Sequence, residues 1–498
     1  MVKIYKMKIY KNLFLLFLLV FFVLNSNANN EIKTEEDSIS KDPIVVTPSY
    51  YMIGNMSSNL PFDPNIKLDT LASNKLVCYV KKNYASNAET VIELVYKVGS
   101  LMEDSTRRAQ AFFTANYVAK YYSSIISNKF NGRINPNIKV EAKPNYTRFV
   151  FSIVATDADR KDAVADFLKV LADSISFNST LLATNKIDFI TRYKQNQFTE
   201  LQYNLGKQPT AKYLNSITVV KLKQFYKDWY RPNLTSVIVV GNIDVEQTQK
   251  ELSAIFSKLK NPVKEKNVVY YGIPKKPTLQ LTIVDDTSLI DKGIVQFYLK
   301  KIRNNRESTI GYIETILGIL SAIVIENLSN DYNKKDTTGR YFSAISYEPF
   351  TKNEDAIVLN FKFNIAYLDT MTIELLSLKD NIKNGVVINE KQLNKSKLIY
   401  LNNLKNNKNI LQSSTDYTTA ILNHFIYNIP LIGKEQEFDF TNSFIDKLFS
   451  SNDFNSFFGV DFDQENISIV IKKPVEKRML FNSKLELIKK YNQVFPKK

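Results

Sequence analysis

Histidine and cysteine each occur once in 498 residues. A single thiol, Cys78, excludes an internal disulfide and any metal site built on a cysteine cluster. Its setting in the apolar run LVCYV makes it a buried core thiol. The single histidine, His424, lies in ILNHFIYN among aromatic and aliphatic residues. It reads as a packed core or helix-end side chain, because a zinc ion would need partner ligands that the chain lacks. Carboxylates are also in the minority: 50 Asp and Glu stand against 66 Lys and Arg, for a formal charge of +16. The lysines are scattered among many asparagines and form no basic stripe with interleaved aromatics, so no nucleic-acid interface is indicated. Solvated lysine faces are the default, with attraction to an anionic membrane surface or an acidic partner second.

What is present is a globular chain, 44% hydrophobic and long enough for two or more domains. Lys3, Lys6, Lys8 and Lys11 precede an unbroken apolar stretch, Leu13 to Leu24, that is short for a membrane span. Ser26-Asn27-Ala28 supplies small residues suited to a signal peptidase. The pattern predicts a signal peptide over residues 1–28 and export, to a periplasmic or membrane-associated location. An uncleaved anchor helix is the alternative. Residues 29–59 are polar, contain Pro43 and Pro48, and predict a flexible arm.

The stretch from Val91 to Ser124 organises the rest. Val91, Ile92, Leu94, Val95, Tyr96 and Val98 predict a strand, ended by Gly99-Ser100. Glu103-Asp104-Ser105-Thr106 forms an acidic turn. A helix is predicted from about Arg107, with Phe112, Phe113, Tyr117, Tyr121 and Tyr122 near helical spacing. This strand, turn and helix resemble the lead-in to the active-site helix of the M16 metallopeptidases, the pitrilysin, insulinase and mitochondrial-processing-peptidase family. There the helix carries His-x-x-Glu-His, with two histidines on one face holding zinc and the glutamate taking a proton from the bound water.

Aligned on Gly99, Ser100 and Glu103, the first histidine position falls on Phe112, the glutamate on Ala115 and the second histidine on Asn116. Active relatives complete the site with a glutamate on a later helix. The corresponding turn here, Ile190 to Lys194, has no carboxylate. The resemblance therefore implies a degenerate, non-catalytic member with no cofactor. A second likeness is the segment Phe225 to Asn233 (FYKDWYRPN), followed by a strand ending in Gly241-Asn242 and a helix over residues 246–260, which is how each half of these proteins closes.

After a linker over residues 262–280, the order strand, helix, strand, helix, helix, strand repeats weakly. The expected fold is α+β: two tandem α/β-sandwich halves of the LuxS/MPP-like metallohydrolase type, over residues 60–261 and 281–476, forming a clam-shell. Each half is expected to leave one sheet face open, and residues 477–498 are expected to form a lysine-rich helix. In active relatives the second half supplies an Arg-x(6)-Tyr loop that binds the substrate carbonyl. Residues 334–343 stand in that place: with Tyr341 at the tyrosine position Lys334 takes the arginine position, with Phe342 there Lys335 does, and Arg340 is nearby. The resemblance implies peptide or protein binding, a heterodimer with a zinc-containing M16 homologue, and possible membrane-surface association. The alternatives are a structural scaffold subunit or an active metallopeptidase with unusual ligands.

Overall fold

The computed structural model describes residues 60–84, 89–104, 108–130, 137–154, 157–196, 209–268, 279–302, 305–333, 341–385, 387–448, 450–452, 454–455 and 467–495. The expected signal peptide and arm lie outside these.

Two β-hairpins and two further strands make the first sheet. β1 (Ile66–Thr70) and β2 (Val77–Lys82) pair antiparallel, with Thr70 opposite Val77. β3 (Glu89–Tyr96) leads to α1 (Gln110–Phe130). β4 (Asn137–Ala142) and β5 (Thr147–Val154) follow, then α2 (Asp157–Ala172), α3 (Ser179–Asn196), α4 (Ala211–Asn215), α5 (Val219–Trp229), β6 (Thr235–Gly241) and α6 (Val245–Phe256). The strand order is β1-β2-β6-β3-β5-β4, with only the β2–β6 pair parallel.

The second half repeats the plan. It contains β7 (Gln280–Asp285), β8 (Lys292–Ile302), α7 (Thr309–Asn333), β9 (Tyr341–Thr351), β10 (Glu354–Asn364), α8 (Leu368–Gly385), α9 (Glu390–Asn409), α10 (Ser414–Tyr427), α11 (Lys434–Leu448), β11 (Ile467–Lys473) and α12 (Lys484–Val494). Its order, β7-β11-β8-β10-β9, matches β2-β6-β3-β5-β4, down to the single parallel pair. The α+β architecture of two tandem halves is thus present. The expected C-terminal helix is shorter than the sequence suggests, confined to Lys484–Val494.

Alternation along the strands sorts side chains into two layers. Ile92, Leu94 and Tyr96 of β3 and Val237 and Val239 of β6 pack with Tyr122, Phe149, Phe151, Phe167, Phe225 and Phe256 beneath the first half's helices. Val95, Ile238 and Val240 point the other way, with Ile66 and Tyr79. That second face is not open. Ile421, Leu422, Phe425 and Ile426 of α10, a helix of the second half, cover it. The reason is readable in β6 itself: TSVIVVG is buried at every position, and a strand apolar on both faces needs cover on both. α10 is defined at both ends. A Ser413–Asp416 capping box starts it and Asn428, in the left-handed region, stops it.

Polar contacts fasten α10 in place. Arg306 and Asp355 form an ion pair in which both side chains are at most 3% exposed. The guanidinium also donates to the carbonyls of Thr351, Lys352 and Glu354 in the β9–β10 turn and, at 2.7 Å, to that of Tyr427 at the end of α10. Asn145 Nδ2 of the first half donates to the Phe350 carbonyl and the Tyr427 hydroxyl, and Asn83 Nδ2 to the Gln412 carbonyl. Among the described residues one stretch, Thr309–Asn327 in α7, is long and apolar enough to cross a membrane; 67% of it is buried in this fold.

Beneath α10 lies Glu93, fully buried on β3, with Arg148 Nη1 3.5 Å away. Burial pushes its carboxyl above the usual range, and Glu141 adds to this, against the pull of Arg148 and the Thr418 hydroxyl. A carboxyl raised in the fold contributes stability below the unfolded pKa and loses it as pH rises through the folded one. Glu93→Gln is therefore expected to raise the unfolding midpoint at neutral pH while leaving it nearly unchanged below the unfolded carboxyl pKa of about 4.3. A variant less stable at neutral pH would show that the Arg148 ion pair prevails instead. Arg306→Ala, which strands Asp355 and several carbonyls, is expected to cost about 3–5 kcal/mol in denaturant unfolding.

Candidate functional site

The lead-in to α1 is built around close backbone approach and one carboxylate. A Cβ at Gly99 would collide with the carbonyl oxygens of Lys143 and Pro144, so only glycine fits where β3 turns away. Glu103, almost wholly buried, accepts from the backbone N–H groups of Ala109 (2.9 Å) and Ala111 (2.6 Å). It thereby satisfies donors that the first helical turn leaves unpaired, and its charge sits at the positive end of the dipole. The chain takes a left-handed step at Ala109 (φ 64°), and the helix starts at Gln110, three residues later than its sequence indicates.

The three positions matched to the metallopeptidase motif follow at once. Phe112 is 8% exposed, Ala115 fully buried and Asn116 2% exposed. Phe112 turns toward α3, where its ring meets Tyr193 edge-on at 5.4 Å between centroids. Tyr193 belongs to the segment Ile190–Lys194, matched to the third zinc-ligand position. Phe113 completes the group against Phe189 (5.9 Å) and Tyr193 (6.5 Å). Leu182, Leu214, Ile217 and Leu222 close around these rings. Ala115 packs into the sheet-side core. Asn116 Nδ2 bonds back to the Phe112 carbonyl at 2.8 Å, while its Oδ1 is buried without a partner.

The helix is held further along its length as well. The Tyr117 hydroxyl accepts from Asn178 N (2.7 Å), and its ring stacks on Phe177 at 4.9 Å. Tyr122 donates to the Leu171 carbonyl, and burial pushes its hydroxyl well above its ordinary pKa.

A zinc ion of the M16 kind needs two imidazoles, a carboxylate and an open coordination position. The side chains at the matched positions are a ring, a methyl, an amide tied to its own helix and a phenol packed on the ring. They do not fit the metal. Among the described residues no group of three or more His, Cys, Asp or Glu side chains is placed to hold one. The single histidine is remote from this face: His424 lies on α10, its Nδ1 2.9 Å from the Ile429 carbonyl and its ring edge-on to Phe62 and Tyr79. Burial lowers its pKa.

Of the substrate-loop candidates, Lys334, Lys335 and Arg340 lie outside the described residues. Tyr341 opens β9, so residues 341–343 belong to an edge strand and not to the loop expected from sequence. Sequence reasoning also passed over β4, the edge strand beside α1. Its signal is the weak alternation Ile138, Val140, Ala142 among polar residues. On the described residues β4 pairs only with β5, and its other side carries no partner strand. Arg148 of β5 grips Glu141 of β4 through two hydrogen bonds (2.9 and 3.0 Å), which pin this edge. Burial works to raise the Glu141 carboxyl, but Arg148 outweighs it and the group sits below the usual range.

These elements have the fold of M16 peptidase structures. Residues 216–310, from just before α5 across the junction to the start of α7, match the family described as the peptidase M16 inactive domain. The chain is 24% identical over 390 residues to a probable zinc protease, PqqL, of Haemophilus influenzae, an alignment covering 68% of this chain and 40% of that protein. Its fold is similar to the crystal structure of the periplasmic protease PqqL from Escherichia coli, with TM-score 0.69 and 15% identity, covering 89% of this chain and 51% of that one. The first half of that protease alone is similar with TM-score 0.67 and 16% identity, covering 89% and 99%. The chain thus spans about half the length or less of these full-length relatives. The likeness to M16 peptidases lies in the fold and in residues 216–310.

If the aromatic group is a true core, Phe112→Ala leaves a cavity between α1 and α3 and is expected to cost about 3–5 kcal/mol in denaturant unfolding. A cost below about 1 kcal/mol would place the ring in a loosely packed position instead.

Proposed function

We propose that this chain is a non-catalytic M16 subunit that binds peptide or protein strands and works beside a zinc-bearing homologue. The observation that carries this reading is the Phe112–Tyr193 contact: aromatic rings occupy the helix faces from which zinc ligands would project. A metal-activated water needs an open position, and this face is closed by packing. The open backbone edge of β4, adjoining α1, supports strand addition as the binding mode, since main-chain groups there can pair with an extended peptide of any sequence. A basic N-terminus followed by Leu13–Leu24 supports export, and the relatives described as periplasmic are in keeping with that location. The cations at Lys334, Lys335 and Arg340, leading into Tyr341, are proposed to contact substrate carbonyls in the assembled pair.

The test is co-purification from the native host, followed by peptidase assay of the homologue with and without this chain. The expected result is a stable heterodimer, burying on the order of 1,000 Å² or more, whose activity falls when this subunit is removed. A lone monomer whose removal leaves the homologue's activity unchanged would end the proposal. Elemental analysis after dialysis against trace zinc is expected to find no stoichiometric metal in this chain. A bound metal that supports peptide cleavage would revive the reading as an active enzyme.

A further inference from the structure

One end of the second sheet gathers apolar side chains that face solvent. Ile290, in the β7–β8 turn, is 85% exposed, Leu480 is 62% exposed and Val475 54%. They come from separate segments that backbone contacts hold together. β11 runs parallel to β7 with Lys473 opposite Asp285, and the Asp286 N–H donates to the Lys473 carbonyl, so Val475 emerges beside the turn that carries Ile290. The Ile365 N–H donates to the Asp291 carbonyl, which brings the start of α8 to the same end. There Asp369 accepts from the Leu480 N–H at 2.6 Å and pairs with Lys477 at 2.7 Å. Leu485, one turn along, is 78% exposed, while Leu487 anchors α12 to the core.

The charge around these side chains is one-sided. Residues 471–495 hold seven lysines and arginines against two glutamates, a far steeper excess than the 66 against 50 of the whole chain. The carboxylates nearby are mostly engaged. Asp285 pairs with Lys473, Asp369 with Lys477, Asp286 accepts from Ser288, and Glu486 accepts from the Asn482 N–H. Asp291 and Glu476 remain beside the apolar tips, while Arg478 and Lys489 are exposed and Lys484 is partly so.

We propose that this end of the second half docks on an anionic lipid surface, with Ile290, Val475 and Leu480 entering the headgroup layer and Arg478, Lys484 and Lys489 meeting the lipid phosphates. Apolar tips ringed by cations are what such an interface selects. Each basic residue near an anionic surface strengthens binding by roughly fivefold, so three outweigh the two residual carboxylates. The attraction weakens as salt shortens the screening length.

Cys78 is fully buried, which allows a dye to be placed by single substitution without competition from the native thiol. The full chain carrying an environment-sensitive dye at Ile290→Cys or Leu480→Cys is mixed with vesicles of phosphatidylcholine alone and with vesicles of equal parts phosphatidylcholine and phosphatidylglycerol. A control carries the dye at Ile187→Cys, an exposed position on α3 of the first half. The expected result is a blue shift at 290 and 480 on the anionic vesicles only, quenched by spin-labelled lipid, lost at high salt and reduced at least tenfold in apparent affinity by Arg478→Glu with Lys484→Glu. The control dye is expected to stay unshifted, so that tethering by the N-terminal apolar stretch is not mistaken for docking. No shift at 290 and 480, an equal shift on both vesicles, or a shift that lipid-borne quenchers do not reach because the patch is buried against protein, would each overturn the proposal.

Discussion

Arg306 and Asp355 fix, within the second half, the helix that covers the first sheet. A buried guanidinium can be tolerated only if its donors find acceptors, and here they find Asp355 and the carbonyls of Thr351, Lys352, Glu354 and Tyr427. Asp355 is steadied in turn by the Tyr347 hydroxyl. Tyr347 reaches it because Gly318 on α7 offers no side chain where the ring passes; a Cβ there would overlap the ring. One ion pair thus ties together the α7 helix, the β9–β10 hairpin and the end of α10. Each of these is placed by the others, which is how a network gains over isolated pairs.

Because α10 is fixed by that network, it can serve as the lid on the first sheet. The seam is mixed in character. Phe425 and Ile421 bury against β3 and β6, while Lys97 lies 4.0 Å over the Phe425 ring and Lys81 4.5 Å over Tyr417. Burial lowers Lys97 to a pKa of about 8, helped by Lys352. With Glu93 raised on the same face, the seam carries groups whose charge depends on pH. A purely apolar seam would hold the halves equally well, but the fixed polar contacts allow only one register between them.

Legibility in the sequence followed burial. The central strands β3, β5, β6, β8, β10 and β11 are runs of β-branched and aromatic residues, and their positions can be read directly. The strands missed, β4, β7 and β9, are all sheet edges. An edge strand packs on one side only, so NIKVEA and QLTIVD carry polar residues that dilute the alternation. α10 was missed for a different reason. Its apolar face answers a sheet more than 150 residues away in sequence, and nothing local marks that partner. The candidate site was legible in part. Phe112, Ala115 and Asn116 follow from motif spacing alone, but that Phe112 meets Tyr193 depends on the packing of α1 against α3. The burial of Asn116 Oδ1 without a partner is likewise a tertiary fact.

The state of that helix pair bears on what the chain can do. In a hydrolytic zinc site the ligands are polar, the metal faces solvent or substrate, and the cavity stays open for water. Here the same two helices are joined by Phe112, Phe113, Phe189 and Tyr193, which exclude water and gain from burial and edge-to-face contact. The aromatic joint stabilises the fold without a metal, and it rigidifies α1 beside the β4 edge. A rigid edge is what strand addition requires, because an extended peptide loses less of its binding energy when the template does not have to be ordered first. The aromatic packing between α1 and α3 therefore also fixes the helix that flanks the β4 edge.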